Sequence, residues 1–249
     1  MTFFTDFPAM ILAAGRGERM RPLTDHLPKP LLEIHGKSLL HYHLEGLNNN
    51  GFKNIVINHA WLGHKIEEAL GNGSKMGLNI LYSPEENALE TAGGIKNALE
   101  LLNTNDYFFV MNGDTFMPGF PFHRIHEIVE QLRIDNAEGA NPLLAYLFLT
   151  KNPPHNPHGD FYLVSPHVLS DEQLTSNPLG QPKYTFSGAA IYHKELFKDL
   201  IKGEKAALAP ILKNAMGSLL VEGELLSCFW HDVGTPDRLL ALNQNSVNQ

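Results

Sequence analysis

The chain has 249 residues, 43% of them apolar and 18% charged, a globular composition that excludes disordered, collagen-like and low-complexity classes. With 19 basic and 27 acidic residues the net charge is −8, histidine being neutral, so the basic footprint that duplex nucleic acid demands is missing. The single cysteine, Cys228, can make neither an internal disulfide nor a thiolate zinc site.

Apolar runs such as Leu143–Leu149 are too short to span a membrane. The start, Met1 to Pro8, lacks the basic segment of a signal peptide and carries Asp6 and Pro8 early. The expectation is a cytoplasmic protein with neither nucleic-acid nor membrane partners.

In chain order, Ala9–Leu12 reads as a buried strand ending in the glycine-rich Ala13–Gly17. Ser38 is a good N-cap for a helix through Leu40, His43, Leu44 and Leu47, closed by Gly51. Asn54–Asn58 is a strand, Ile66, Ala69 and Leu70 a helical stripe, and Leu78–Tyr82 another strand. Ile95, Leu99 and Leu102 mark the next helix, Tyr107–Met111 a strand, Ile125–Leu132 a helix and Leu143–Leu149 a strand. This alternation predicts a parallel sheet with helices on both faces.

After Lys151 the texture changes. Asn152–Gly159 is a loop, and strands follow at Phe161–Val164, Thr185–Tyr192 and Leu219–His231, the last with a hairpin turn at Glu222-Gly223. Helices are expected around Lys194–Ile201 and Leu208–Met216, and Thr235-Pro236 opens a last helix. No repeat and no long linker divides the chain, which reads as one α/β domain over 1–249.

The Ala13–Gly17 turn lets backbone N–H groups approach phosphate oxygens, and Arg16, Arg19, Arg21 and Lys29 add cations nearby. Neither the Rossmann nor the P-loop spacing is present. A glycine turn alone would be a tight turn with solvated arginines; four cations and Pro28-Lys29-Pro30 close by point to anion binding. Asp114, in Asn112-Gly113-Asp114, follows the end of a predicted parallel strand, where open α/β sheets bind ligands. Asp232, between His231 and Gly234, is its candidate partner. Alone, either aspartate would be a cap or turn residue. Converging on a triphosphate, they would hold Mg²⁺, which takes one or two carboxylates plus phosphates and waters.

Further segments complete a pattern: Ile57–Gly63, Leu89–Ile95, Gly159–Phe161, Thr185–Gly188 and Trp230–Thr235. In this order over nearly the whole chain, the set is similar to the sugar-1-phosphate nucleotidyltransferases. Asn58–Gly63, Tyr82–Glu85 and Gly159–Phe161 most resemble the branch that uridylylates N-acetylmuramate 1-phosphate in cell-wall recycling; mannose-1-phosphate guanylyltransferases share many of the motifs.

The resemblance implies a Rossmann-like three-layer fold with a mixed, mainly parallel sheet. Residues of about 9–150 would bind the nucleotide, and about 151–249 would bind the sugar and complete the metal site. Nucleotide contacts fall on Ala13, Ala14, Gly15, Arg16, Gly17, Glu18, Arg19, Lys29, Pro84, Gly94 and Asn112, and sugar contacts on Asn152, Asp160, Ser187 and Gly188. Asp114 and Asp232 hold the metal, Arg16 the β- and γ-phosphates, and Lys29 the α-phosphate. Lys183 is not a motif match and stays outside the site. A monomer or weak homodimer is expected, because the repeat domain of larger relatives is missing.

A sugar 1-phosphate is largely dianionic near neutral pH, its second pKa being about 6, so it needs no general base. Two polyanions must be aligned and the leaving pyrophosphate stabilised. Glu85 could accept hydrogen bonds from guanine or be a solvated loop charge, which leaves UTP against GTP open on chemistry. Trp61 reads as packing or part of the base pocket, with packing preferred. The paired histidines (His41 and His43, His123 and His126, His155 and His158) read as surface or loop residues, and Cys228 as inert core.

Overall fold

The computed structural model describes residues 7–104, 106–139, 141–173 and 180–244. Strand β1 (Ala9–Leu12) is followed by a small hairpin, β2 (Glu33–Ile34) and β3 (Lys37–Ser38), and by helix α1 (Leu39–Asn49). Ser38 caps α1 as its composition predicts, its hydroxyl accepting the His41 N–H. Alternation then runs through β4 (Asn54–His59), α2 (Gly63–Leu70), β5 (Asn79–Pro84), α3 (Glu90–Leu102) and β6 (Tyr107–Asn112). Short β7 (Thr115–Phe116), α4 (Phe122–Ala137) and β8 (Ala145–Thr150) complete that stretch. The remainder holds β9 (Phe161–Val164), β10 (His167–Leu169), β11 (Lys183–His193), α5 (Leu208–Gly217), β12 (Val221–Leu225), β13 (His231–Asp232) and α6 (Pro236–Gln244).

Nine strands form one sheet in the order β5-β4-β1-β6-β11-β8-β12-β10-β9. The first four are mutually parallel, as are β8 and β12. Antiparallel β11 joins β6 to β8, and β10 lies antiparallel between β12 and β9. The sheet is therefore mixed.

Successive side chains of a strand point to opposite faces, and both faces are covered. Ile11, Ile55, Ile57, Phe109 and Met111 pack with Leu44 of α1, Ile66 of α2 and Ile125 of α4. Met10, Val56, Phe108 and Val110 pack with Ile95 of α3 and Leu212 of α5. A smaller cluster gathers Met20, Leu32, Ile34 and Leu39 with Phe116, Val233 and Leu242, tying α6 to the N-terminal loop.

Three local expectations are corrected. Glu222-Gly223 is not a hairpin turn: β12 runs straight through it in register with β8. Glycine is there because a Cβ would stand 2.3 Å from the Leu147 carbonyl oxygen. The Lys194–Ile201 helix is a single 3-10 turn, Lys194–Phe197, because the chain leaves it to cap α3: Ala92 and Gly93 both donate N–H bonds to the Ala206 carbonyl. In α2 the buried residues are Gly63, Ile66 and Leu70, and Ala69 is exposed.

Candidate active site

The turn after β6 carries Asp114 to the C-terminal edge of the parallel strands, and β13 brings Asp232 beside it. β13 pairs antiparallel with β7, Asp232 opposite Thr115, and the Val233 N–H donates to the Asp114 carbonyl at 3.1 Å. Lys29, 6% exposed, reaches the same point from the 3-10 turn Lys29–Leu31. Its Nζ lies 2.6 Å from Asp114 Oδ2 and 3.9 Å from Asp232 Oδ1. The space between the carboxylates thus already takes a cation, which is the test that a Mg²⁺ site must pass. Among the described residues no three His, Cys, Asp or Glu side chains cluster to hold a metal; two carboxylates suffice for Mg²⁺ when phosphates and water fill the rest.

The other oxygen of Asp232 is held separately. Arg238, in the first turn of α6, donates from Nη1 to Asp232 Oδ2 at 2.7 Å, and His155 Nε2 stands 3.5 Å from the same atom. A Cβ at Gly234 would come within 2.8 Å of both Asp232 Oδ2 and Arg238 Nη1, so glycine leaves room for that pair. Burial, then nearby Arg238, holds His155 below its ordinary pKa, although Asp232 pulls the other way. His155 is an exposed loop histidine, as expected from sequence, but its loop brings it to the edge of the site. Buried His43 departs from that reading.

A cavity of about 210 Å³ opens beside Lys29 and Asp114, lined by Ala13, Ala14, Gly15, Asn58 and Asn112 among others. Its wall is fastened by a relay: the Ala13 N–H donates to Asn58 Oδ1 at 2.8 Å, and Asn58 Nδ2 donates to Glu85 Oε1 at 2.7 Å. The Leu89 N–H donates to Glu85 Oε2 at 2.8 Å. Glu85 is buried, neither a solvated charge nor free to read a base; both oxygens are spent on the frame. Gly94 belongs to this frame, since a Cβ there would lie 2.7 Å from Asn58 Nδ2. Pro84 is exposed at the end of β5 and does not line the cavity.

The glycines of the first loop differ in purpose. At Gly17 the backbone is left-handed (φ +68) and a Cβ would crowd Thr24. At Gly15 a Cβ would meet nothing within 4 Å, so the fold itself leaves open space there. Arg16 lies over Trp61, its guanidinium carbon 3.3 Å from the ring centroid, and Trp61 donates to the Thr24 carbonyl at 2.9 Å. Trp61 is thus the platform for Arg16. Glu18 pairs with Arg16 at 3.3 Å, and Arg19 is exposed within electrostatic reach of His155.

Glu90, Thr91 and Asn112 also line a second cavity of about 660 Å³, which continues to Asp160, Phe186 and Lys213. Asp160 accepts the Phe186 N–H at 2.8 Å. The other three expected sugar residues shape this region from behind. Asn152 bonds Thr185 and the Lys183 carbonyl, and buried Ser187 accepts the Ala189 N–H. Gly188 (φ +84) clears space for Asn112, whose Nδ2 would otherwise lie 2.6 Å from a Cβ. Lys183 is engaged by Asp171 at 2.6 Å, outside the cavity lining. Beyond Asp232 a third cavity, about 760 Å³, is lined by Lys151, His155, Trp230 and Arg238 among others.

Sequence reasoning passed over Arg238, Glu90, Thr91 and Lys213, and set His155 aside as a surface or loop histidine. Only the carry-over of Leu89–Ile95 as a motif pointed toward Glu90 and Thr91. Glu90 has φ +61, a strained backbone of the kind that gathers at ligand sites.

The family model described as Nucleotidyl transferase matches residues 8–249. The chain belongs to this family. Over 232 residues it is 48% identical to the N-acetylmuramate alpha-1-phosphate uridylyltransferase of Neisseria meningitidis, covering 93% of this chain and 94% of that protein. It is 28% identical to the mannose-1-phosphate guanylyltransferase catalytic subunit beta of Danio rerio, covering 93% of this chain and 62% of that protein. Among solved structures, one described as a glucose-1-phosphate thymidylyltransferase from Bacillus anthracis in complex with a sucrose superposes with a TM-score of 0.78 at 19% identity, covering 95% and 94% of the two chains. That likeness fixes the three-layer fold. No helix among the described residues is long and apolar enough to cross a membrane.

Proposed function

We propose that this family member transfers a uridylyl group from UTP to N-acetylmuramate α-1-phosphate, giving UDP-N-acetylmuramate and pyrophosphate. The observation that carries the reading is Lys29 lodged between Asp114 and Asp232, beside the cavity under the glycine-rich turn, which meets the larger cavity around Asn112. The similarity to the Neisseria uridylyltransferase along the full chain supports UTP and the muramate sugar over the guanylyl alternative.

An oxygen of the sugar phosphate attacks the α-phosphorus, the bond to the bridging oxygen breaks, and pyrophosphate leaves with the electron pair. No proton has to be removed from the nucleophile. Ala14 and Gly15 present backbone to the triphosphate while the Ala13 N–H, bonded to Asn58, fixes the turn; Arg16 leaves Trp61 for the β- and γ-phosphates, and Lys29 holds the α-phosphate. Mg²⁺ on Asp114 and Asp232, when bound, supplies neutralisation of phosphate charge. Arg238 and His155 position Asp232. Asp160 and Asn112 face the sugar, while residues of about 9–150 and 151–249 divide nucleotide and sugar binding within one domain. The protein acts as a monomer or weak homodimer.

The test is pyrophosphate release with Mg²⁺ across UTP, GTP, dTTP and CTP and the 1-phosphates of N-acetylmuramate, N-acetylglucosamine, glucose and mannose. Turnover confined to UTP with the muramate sugar is expected. A preference for GTP with mannose 1-phosphate overturns the substrate and keeps the catalytic residues; silence across the grid points to a nucleotide-sugar binding module.

A further inference from the structure

We infer that Lys213 reads a carboxylate on the sugar 1-phosphate and so selects an acid-bearing sugar over its neutral counterpart. The inference rests on the reading above and identifies what recognises the lactyl group that sets N-acetylmuramate apart from N-acetylglucosamine.

The 660 Å³ cavity shares Glu90, Thr91 and Asn112 with the nucleotide cavity, so it is the space in which a second substrate meets the nucleotide. Its lining is poorly suited to an acidic substituent. Glu90 and Asp160 repel a carboxylate, and the apolar walls, Phe186 and Leu212 among them, cannot solvate one. Lys213 is the only cation among the described lining residues.

Lys213 is placed for this by α5, whose neighbouring Leu212 is 1% exposed and fixes the helix in the core. Its present partner is Glu172 at 3.3 Å, with side chains 42% and 64% exposed. Exposed pairs of this kind hold weakly, so the ammonium is free to exchange Glu172 for a substrate carboxylate. The nearby carboxylate of Asp171 is already taken by Lys183. Lys151 and Arg238 are cations of another cavity, which Asp232 also lines, but Arg238 is already paired with Asp232 and that cavity shares no lining residue with the nucleotide cavity.

The experiment compares N-acetylmuramate 1-phosphate with N-acetylglucosamine 1-phosphate, which differ only in the lactyl ether, at saturating UTP. It uses wild type, Lys213→Met, Lys213→Arg and Lys151→Met. A lost charge-assisted hydrogen bond corresponds to a change of about 10- to 100-fold in affinity. Lys213→Met should raise KM for the muramate sugar by that factor while leaving KM for UTP and the constants for the neutral sugar in place. Lys213→Arg should restore the preference to within a few-fold, and Lys151→Met should leave it alone. Where the neutral sugar turns over too slowly, its affinity is read from its competitive inhibition of N-acetylmuramate 1-phosphate turnover. Equal losses on both sugars, an unchanged preference, or a preference abolished by Lys151→Met each overturn the inference while the proposed function stands. A wild-type enzyme indifferent to the lactyl group overturns both.

Discussion

Asp232 is the residue on which most of the centre converges: Lys29 approaches one oxygen, and Arg238 holds the other, with His155 standing 3.5 Å from it. Asp232→Asn keeps the shape and the Arg238 hydrogen bond but halves the negative charge offered to the metal. It should lower kcat by roughly two to three orders of magnitude, the size of effect seen when one transition-state electrostatic contact is lost. The melting temperature should change little, because the side chain lies at the edge of the core. Steady-state kinetics beside a thermal melt check this; a matching collapse of both would make Asp232 a structural residue instead. Lys29, Asp114 and Asp232 were legible as candidates only together, through the family resemblance, since alone each aspartate reads as a cap or turn residue; the fold does bring their side chains together. Arg238, His155 and Glu85 were not legible. A charge in a terminal helix, a histidine in a loop and a glutamate after a strand take on meaning only from partners far away in the chain.

Glycines separate two kinds of element geometry, one serving the site and one serving the sheet. β11 carries a bulge between Phe186 and Ala189, and within it Gly188 at φ +84 faces Asn112. Gly188→Ala forces a strained backbone and pushes Asn112 away from the two cavities it joins. Gly223 lies in the parallel pair of β12 with β8, against the Leu147 carbonyl. Gly223→Ala should cost about 1–3 kcal/mol through overpacking, with kcat/KM of the folded fraction near wild type. Gly188→Ala should lose activity well beyond its loss of stability, and urea unfolding with kinetics on both variants distinguishes the cases. Strands β1, β4 and β6 were legible because buried parallel strands read as short apolar runs. Glu222-Gly223 misled because the same dipeptide serves a turn or a close approach. The Lys194–Ile201 stretch misled because apolar spacing says nothing of the chain's next task, which is to carry Ala206 to the start of α3.

At the scale of the whole molecule, folding hides a histidine that the unfolded chain would expose. His43 on α1 is buried, its Nε2 has no hydrogen-bond partner among the described residues, and burial lowers its pKa to about 4. Asp114 and a backbone hydrogen bond at Thr115 only partly oppose that shift. The unfolded chain, with an ordinary value near 6.5, therefore binds a proton between about pH 6.5 and 4 that the folded protein refuses. Stability consequently falls as pH drops through this window and is fully retained above it. Between pH 7 and 5 the loss from this one group is about 2 kcal/mol, at roughly 1.4 kcal/mol per pH unit of differential protonation. His155, His193 and His231 are also lowered by burial and add to the same slope. Urea unfolding of ligand-free protein at pH 7 and 5 measures it, and His43→Leu isolates the share of one residue. The variant should lose the share that His43 carries, about 2 kcal/mol between pH 7 and 5, and keep that of the other histidines, whereas a slope unchanged from wild type would mean that His43 takes up its proton in the fold. Acid should therefore lower activity in two separable ways between pH 7 and 5: through the folded population, which His43→Leu protects, and through protonation of the sugar phosphate dianion, whose pKa is about 6 and which the variant leaves untouched.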